Sequence, residues 1–173
     1  MALPAFQAAN AADMRRSMGR FTTGVAIVTS GVGDSACGMT ISSLTSICLD
    51  PAILLVSLTE GARTTGMVAD TGRFAVSILA ARQEAIARRF ATRGGARFEG
   101  LDCEYGEYGV PMIEDALVQA ECDVHSAHQV GDHAVFYGLV RNLRCREGTG
   151  LAFYSGRFGD FHDFGHDEMP WMF

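Results

Sequence analysis

The segment Gly38-Met39-Thr40-Ile41-Ser42-Ser43-Leu44-Thr45-Ser46 gathers more potential chemistry than any other part of the 173-residue chain. It sets hydroxyl side chains and backbone amides at nearly every other position, behind the apolar run Val25-Ala26-Ile27-Val28-Thr29. An isoalloxazine ring offers alternating acceptors and one N–H donor, which hydroxyls and peptide groups can pair without adding charge. The plain alternative is a solvated strand face, since threonine is a good strand former. Arg63-Thr64-Thr65 stands at the start of a short helical pattern. First-turn amides, the helix dipole and a guanidinium together suit a phosphate. An ordinary helix cap beside a solvated arginine would read the same way. Gly131-Asp132-His133 carries an ionisable ring into a strand, or else is a surface histidine beside a turn. Arg88-Arg89-Phe90 reads first as a solvated helix face with one core aromatic. In a second reading, Arg89 and Phe90 reach the distal part of a dinucleotide. Together these residues point to a flat redox ring of the flavin kind.

Other chemistries find less support. All 14 basic residues are arginines, which removes Schiff-base formation, a P-loop lysine and a lysine base. A net charge of −6 argues against unspecific nucleic-acid binding but leaves room for a local arginine cluster on one small anion. Gly31-x-Gly33-x-x-Ala36 fits the loose dinucleotide fingerprint, yet the chain runs on into Thr- and Ser-rich β sequence where that motif needs a helix. A hairpin turn is the better reading. His125 and His128 in one strand would face opposite sides, and His162-Asp163-Phe164-Gly165-His166 lacks a zinc-protease glutamate, so no metal is expected. No Gly-x-Ser-x-Gly elbow is present, and the chemistry is expected to belong to a cofactor. The five scattered cysteines read as buried free thiols in a reducing compartment. With no signal-peptide pattern and no bilayer-length apolar run, a cytoplasmic location away from membranes is expected.

The elements that must position these groups follow from periodicity. Helices are expected over 10–20, 64–71 and 84–92, the second ended by Gly72. Strands are expected over 24–30, 36–42, 46–49, 52–58, 73–79, 117–124, 133–144 and 151–155. Asp50-Pro51 should break the ladder, because proline has no donor and restricts the residue before it. Residues 94–112 read as a Gly-rich loop, 1–12 as a flexible N-terminus, and 160–173 as an acidic, aromatic tail. Many strands without regular βαβ alternation indicate one mainly β domain of the barrel class.

The order of motifs resembles the short-chain flavin reductase family, the reductase components of two-component flavin-dependent monooxygenases. The carriers are Met18-Gly19-Arg20-Phe21-Thr22-Thr23-Gly24-Val25, the 38–46 segment, Leu49-Asp50-Pro51, Gly72-Arg73-Phe74-Ala75-Val76, Gly131-Asp132-His133 and Tyr154-Ser155-Gly156-Arg157-Phe158-Gly159. The resemblance implies a Greek-key split β-barrel of the FMN-binding type that forms a homodimer. Flavin would lie near the interface. It implies that Thr40, Ser42, Ser43, Leu44, Thr45 and Ser46 line the ring and ribityl chain. Ser57, Thr59, Arg63 and Thr64 would serve the ribityl–phosphate end. His133, beside the nicotinamide, would be the catalytic-site histidine, and Tyr154, Arg157 and Phe158 would hold NADH. Hydride would pass from NADH (or NADPH) to FAD or FMN, and reduced flavin would diffuse to a partner monooxygenase. Relatives often carry Ser or Lys before the phosphate threonine, where this chain has Gly61-Ala62-Arg63. Alternative readings in the same fold are an electron-transfer protein that retains FMN and a noncatalytic flavin- or haem-binding sensor.

Overall fold

The structure, a computed structural model, describes residues 5–92, 94, 97–162 and 165. Helix α1 (Ala11–Met18) starts where an asparagine can cap it: Asn10 Oδ1 accepts the Asp13 N–H at 2.9 Å. A short strand β1 (Thr23–Gly24) leads into β2 (Ala26–Ser30), all of whose residues are buried. A 3-10 turn at Gly33–Ser35 returns the chain as antiparallel β3 (Cys37–Ile41), so the glycine pattern at 31–36 is a hairpin connection. Strands β4 (Thr45–Leu49) and β5 (Ala52–Thr59) pair through a turn at Asp50-Pro51, whose peptide bond is cis. Helix α2 (Arg63–Thr71) stops at Gly72, which sits at φ 64° where a side chain would be strained. There follow β6 (Arg73–Ile78), α3 (Glu84–Ala91), β7 (Cys103–Tyr105) and β8 (Pro111–Ile113). The long strands β9 (Val118–Val130) and β10 (His133–Cys145) come next, then the hairpin β11 (Leu151–Tyr154) and β12 (Arg157–Asp160).

Seven strands form one sheet in the order β3–β2–β6–β9–β10–β5–β4. The end strands β3 and β4 are adjacent in sequence but are not paired, so the wall stays split. A small sheet β1–β11–β12 and the pair β7–β8 complete the mainly β fold. Val28, Val56, Leu58, Phe74 and Phe136 fill the sheet interior, while Ile27, Leu79, Ala87, Phe90 and Leu151 hold α3 and the small sheet together. Burying each large apolar side chain stabilises by about 1.5–3 kcal/mol, so these two clusters are what fix the rim loops between them. Among the described residues no helix is long and apolar enough to cross a membrane.

Several expectations need adjustment. Strand β9 does not stop near residue 124 but runs to Val130, because β10 supplies a pairing partner for an exposed polar stretch. A register shift opposite Tyr137/Gly138 leaves His125 unpaired in the bulge. The expected 94–112 loop contains β7 and the start of β8, and β12 follows where no strand was expected. Of the five free cysteines, Cys37 and Cys122 are buried, whereas Cys145 is exposed. Helix α1 already occupies part of the expected flexible 1–12, and most of the 160–173 tail lies outside the described residues, as do residues 1–4.

Candidate functional site

The hydroxyl-rich segment bridges the split between β3 and β4. Two of its hydroxyls are spent on the scaffold. Thr40 Oγ1 donates to Ala87 O at 2.7 Å and so ties β3 to α3. Ser43 Oγ donates to Ser57 O at 2.8 Å and accepts the Ser57 N–H at 3.2 Å, fastening the turn to β5. Leu44 packs on the main core cluster. Ser42, Thr45 and Ser46 are exposed and make no side-chain hydrogen bond among the described residues. The turn is thus rigid at Thr40, Ser43 and Leu44 and presents donors and acceptors at the other three positions.

Beside this turn, β5 ends and α2 begins. Its N-cap is Ala62, which offers no side-chain oxygen to the first-turn amides. Those N–H groups and the positive helix end are therefore left for an anion. Arg63 Nη2 reaches only carbonyls, Ser35 O at 3.2 Å and Asp34 O at 3.4 Å, so its charge has no carboxylate partner among the described residues. Thr64 is buried in the wall, and Thr65 Oγ1 donates to Thr59 O at 2.7 Å, folding α2 back over β5. His133 pairs with Thr59 across β10 and β5, which brings the predicted histidine to the same strand end as Arg63. Its Nδ1 lies 2.8 Å from Asp132 Oδ1. A neutral ring donating Nδ1–H there keeps Nε2 as an acceptor. The same bond holds the Asp132 carboxyl below its ordinary range. Gln129 Nε2 donates to Gly131 O at 3.0 Å and the Glu60 N–H to Asp132 O at 2.9 Å, bracing the turn from both sides.

The third group lies on the small sheet. Tyr154 and Arg157 face each other across the β11–β12 turn, and both are exposed. Phe158 packs on Phe153 with ring centroids 5.2 Å apart, and the Arg88 guanidinium lies 5.0 Å from the Phe158 ring centre. Arg89 donates to Glu99 O. Phe90 faces no groove: it is 1 % exposed, stacked edge-on against Phe98, and pressed against Gly38. A Cβ on Gly38 would come within 2.9 Å of that ring, so a bare backbone is what lets α3 sit this close to β3. Of the two readings of the 88–90 segment, the core aromatic holds for Phe90.

The flavin reductase like domain matches residues 18–162, which includes every group just described. The chain belongs to the flavin reductase family. It is 39 % identical over 164 residues to the NADH-dependent flavin reductase of a Rhodococcus species, covering 92 % of this chain and 91 % of that one. It is 37 % identical over 152 residues to the FMN reductase (NADH) SmoA of Agrobacterium fabrum, covering 88 % and 87 %. The crystal structure of a nitrilotriacetate monooxygenase component B homologue from Mycobacterium thermoresistibile superimposes with a TM-score of 0.86 at 31 % identity, covering 92 % of this chain and 91 % of that one.

In this family member, neutral hydroxyls, uncapped helix amides and one arginine stand where the β3–β4 turn meets the start of α2. Such a set pairs a ring edge and a phosphate without placing a carboxylate against either. Asp132 was not anticipated as a contributor. The signal available for it was its acidic side chain directly before His133, which becomes informative only once the turn geometry aims both at each other. Among the described residues, no three His, Cys, Asp or Glu side chains converge as a metal site.

Proposed function

We propose that this chain is an NADH-dependent flavin reductase that supplies reduced FAD or FMN to a partner flavin-dependent monooxygenase. Bound flavin supplies the hydride acceptor; the protein supplies position and donors. Ser42, Thr45, Ser46 and the amides of their turn hold the ring edge, where donors stabilise the negative charge that grows as hydride arrives. Ser57, Thr59 and Arg63, with the first turn of α2, hold the ribityl–phosphate end. Thr40, Ser43, Leu44, Thr64 and Phe90 act behind this surface by fixing its elements. His133, oriented by Asp132, accepts the carboxamide N–H of the nicotinamide and sets its approach. Tyr154, Arg157 and Phe158 hold the rest of the pyridine nucleotide. The protein acts as a homodimer in the cytoplasm.

The observation that carries this reading is the rigid β3–β4 turn, with free hydroxyls beside an uncapped helix start. Its bonds to a flavin would be neutral ones, each contributing about 0.5–1.5 kcal/mol, which suits a ligand that is released rather than retained. The relatives' names, NADH-dependent flavin reductase and FMN reductase (NADH), support the same substrates. Mixing the protein with NADH and catalytic FAD or FMN in air should consume NADH absorbance only when flavin is present. A tightly coloured protein that leaves NADH untouched would instead be an electron carrier or sensor.

A further inference from the structure

The two halves of the site belong to different sheets. The β3–β4 turn, read as the flavin side, joins end strands of the seven-stranded sheet, whereas the β11–β12 hairpin, read as the nicotinamide side, is part of the small one. Hydride transfer requires both to be held at a fixed separation, since a small misplacement costs rate. The root of the hairpin is anchored by backbone: the Leu151 N–H donates to Leu79 O at 2.9 Å and the Val25 N–H to Leu151 O at 3.1 Å. Nearer its turn, side chains take over. Phe153 and Phe158 face each other across the hairpin and pack against the apolar cluster that contains Ala87 and Phe90 of α3.

Helix α3 reaches both halves through consecutive residues. Ala87 O accepts from Thr40 Oγ1 at 2.7 Å, which ties the helix to the strand that leads into the flavin turn. The next residue, Arg88, carries its guanidinium over the Phe158 ring, 5.0 Å from the ring centre and within cation–π range. Glu84, one turn earlier, fixes that guanidinium: Arg88 Nε donates to Glu84 Oε1 at 2.8 Å, and Nη2 lies 2.7 Å from the same oxygen. Thr92 Oγ1 donates to Arg88 O at 2.9 Å and closes the end of the helix. An exposed ion pair at this spacing adds little stability. What it supplies is orientation, because it holds a long, flexible side chain in one place over an aromatic ring.

We infer that Arg88 is a positioning residue for hydride transfer: locked by Glu84, it holds Phe158 and so sets the nicotinamide hairpin against a helix that is itself tied to the flavin turn. The inference rests on the reading that the β11–β12 hairpin holds pyridine nucleotide. In the full chain, Arg88→Ala should lower kcat/KM for NADH about two- to fivefold, the loss of one exposed cation–π contact. NAD+ affinity, measured by calorimetry, should fall by a similar factor. FMN affinity and Tm should stay at their wild-type values. Arg88→Lys, which keeps a cation over the ring, should recover most of the loss, and Glu84→Ala should reproduce part of it. The deciding variant is Arg88→Ala/Phe158→Ala, which should lose no more than Phe158→Ala alone, since the arginine acts through that ring. Additive losses, or FMN and NADH weakened together, overturn the inference. Phe158→Ala by itself tests the reading beneath: unchanged NADH kinetics there remove the hairpin from the nucleotide site and the inference with it. A loss in Phe158→Ala beside wild-type kinetics in Arg88→Ala keeps the hairpin reading and overturns the inference alone.

Discussion

Two polar regions of this molecule are built to opposite ends. Under the β7–β8 flap, the outward face of β9 carries Gln119, Glu121 and Asp123, and every one of them is answered. Glu121, 2 % exposed, accepts the Tyr108 N–H at 2.8 Å, the Glu107 N–H at 3.1 Å and Asn142 Nδ2 at 2.8 Å. Gln119 donates to Ile113 O at 2.7 Å and accepts from Arg144. Asp123 accepts from Tyr108 Oη at 2.8 Å and Arg141 Nε at 2.7 Å. Around the β3–β4 turn, α2 and the β11–β12 hairpin, the hydroxyls of Ser42, Thr45 and Ser46 and the charges of Arg15, Arg20 and Arg157 have no partner among the described residues. Buried polar groups must be paired, since an orphaned one costs a large part of a domain's net stability. What distinguishes a locking surface from a binding surface here is therefore whether its polar groups are covered and paired from within the chain.

If the flap is the locking half, breaking it should cost stability. Glu121→Leu leaves two backbone amides and one side-chain amide without their acceptor beneath the flap. At about 1 kcal/mol or more for each of the three stranded groups, unfolding free energy should fall by at least about 3 kcal/mol, read from urea denaturation. A loss below about 0.5 kcal/mol, the scatter of ordinary surface changes, would mean that the flap does not depend on this carboxylate.

The binding half should respond in function instead. His133→Ala should lower kcat/KM for NADH about tenfold, the size of one hydrogen bond to a charged or oriented partner. Flavin affinity, measured by fluorescence quenching, should change much less. Equal losses in both would place His133 against the flavin. No loss in either would return it to the class of surface histidines.

The same contrast explains what could be read from the sequence. Apolar runs in β2 and β5, alternation in β6 and the bounding turn residues mark these strands and β10 because such patterns reflect burial, which each strand carries itself. The run 117–124 also alternates, with Gln119, Glu121 and Asp123 against Ala120, Cys122 and Val124, and such a pattern predicts a solvated face. The flap that covers it comes from a Gly-rich stretch with no periodicity, so the covering was invisible. Strand β12 is not legible for a related reason: Arg157–Asp160 contains Gly159 and gains its state only by pairing with β11. In the candidate site, residue types were legible and their availability was not. Nothing local announces that Thr40 spends its hydroxyl on Ala87 O or Ser43 on Ser57, contacts 47 and 14 residues apart. In the sequence Phe90 fits a ligand contact and a core residue equally, and only its packing against Gly38 and Phe98 decides it.

The smallest expected effect lies at the flap's rim. The hydrogen bond from Arg141, then that from Tyr108, holds the Asp123 carboxyl below its ordinary 3.8. Burial, then the hydrogen bond to Asp123 and that carboxylate's charge, pushes the Tyr108 phenol up. A carboxyl whose folded value is depressed adds stability above its unfolded value, and that contribution fades as pH falls through the folded value. Asp123→Asn should therefore lower Tm at pH 7, and the gap to wild type should close below pH 3.8. Asp123 is 30 % exposed at its side chain and shares solvent with Arg141, so screening limits the effect. A contribution of about 0.5–1 kcal/mol corresponds to a shift of roughly 1–4 °C for a chain of this size. A gap that widens on acidification would show that Asp123 strains the flap and does not latch it.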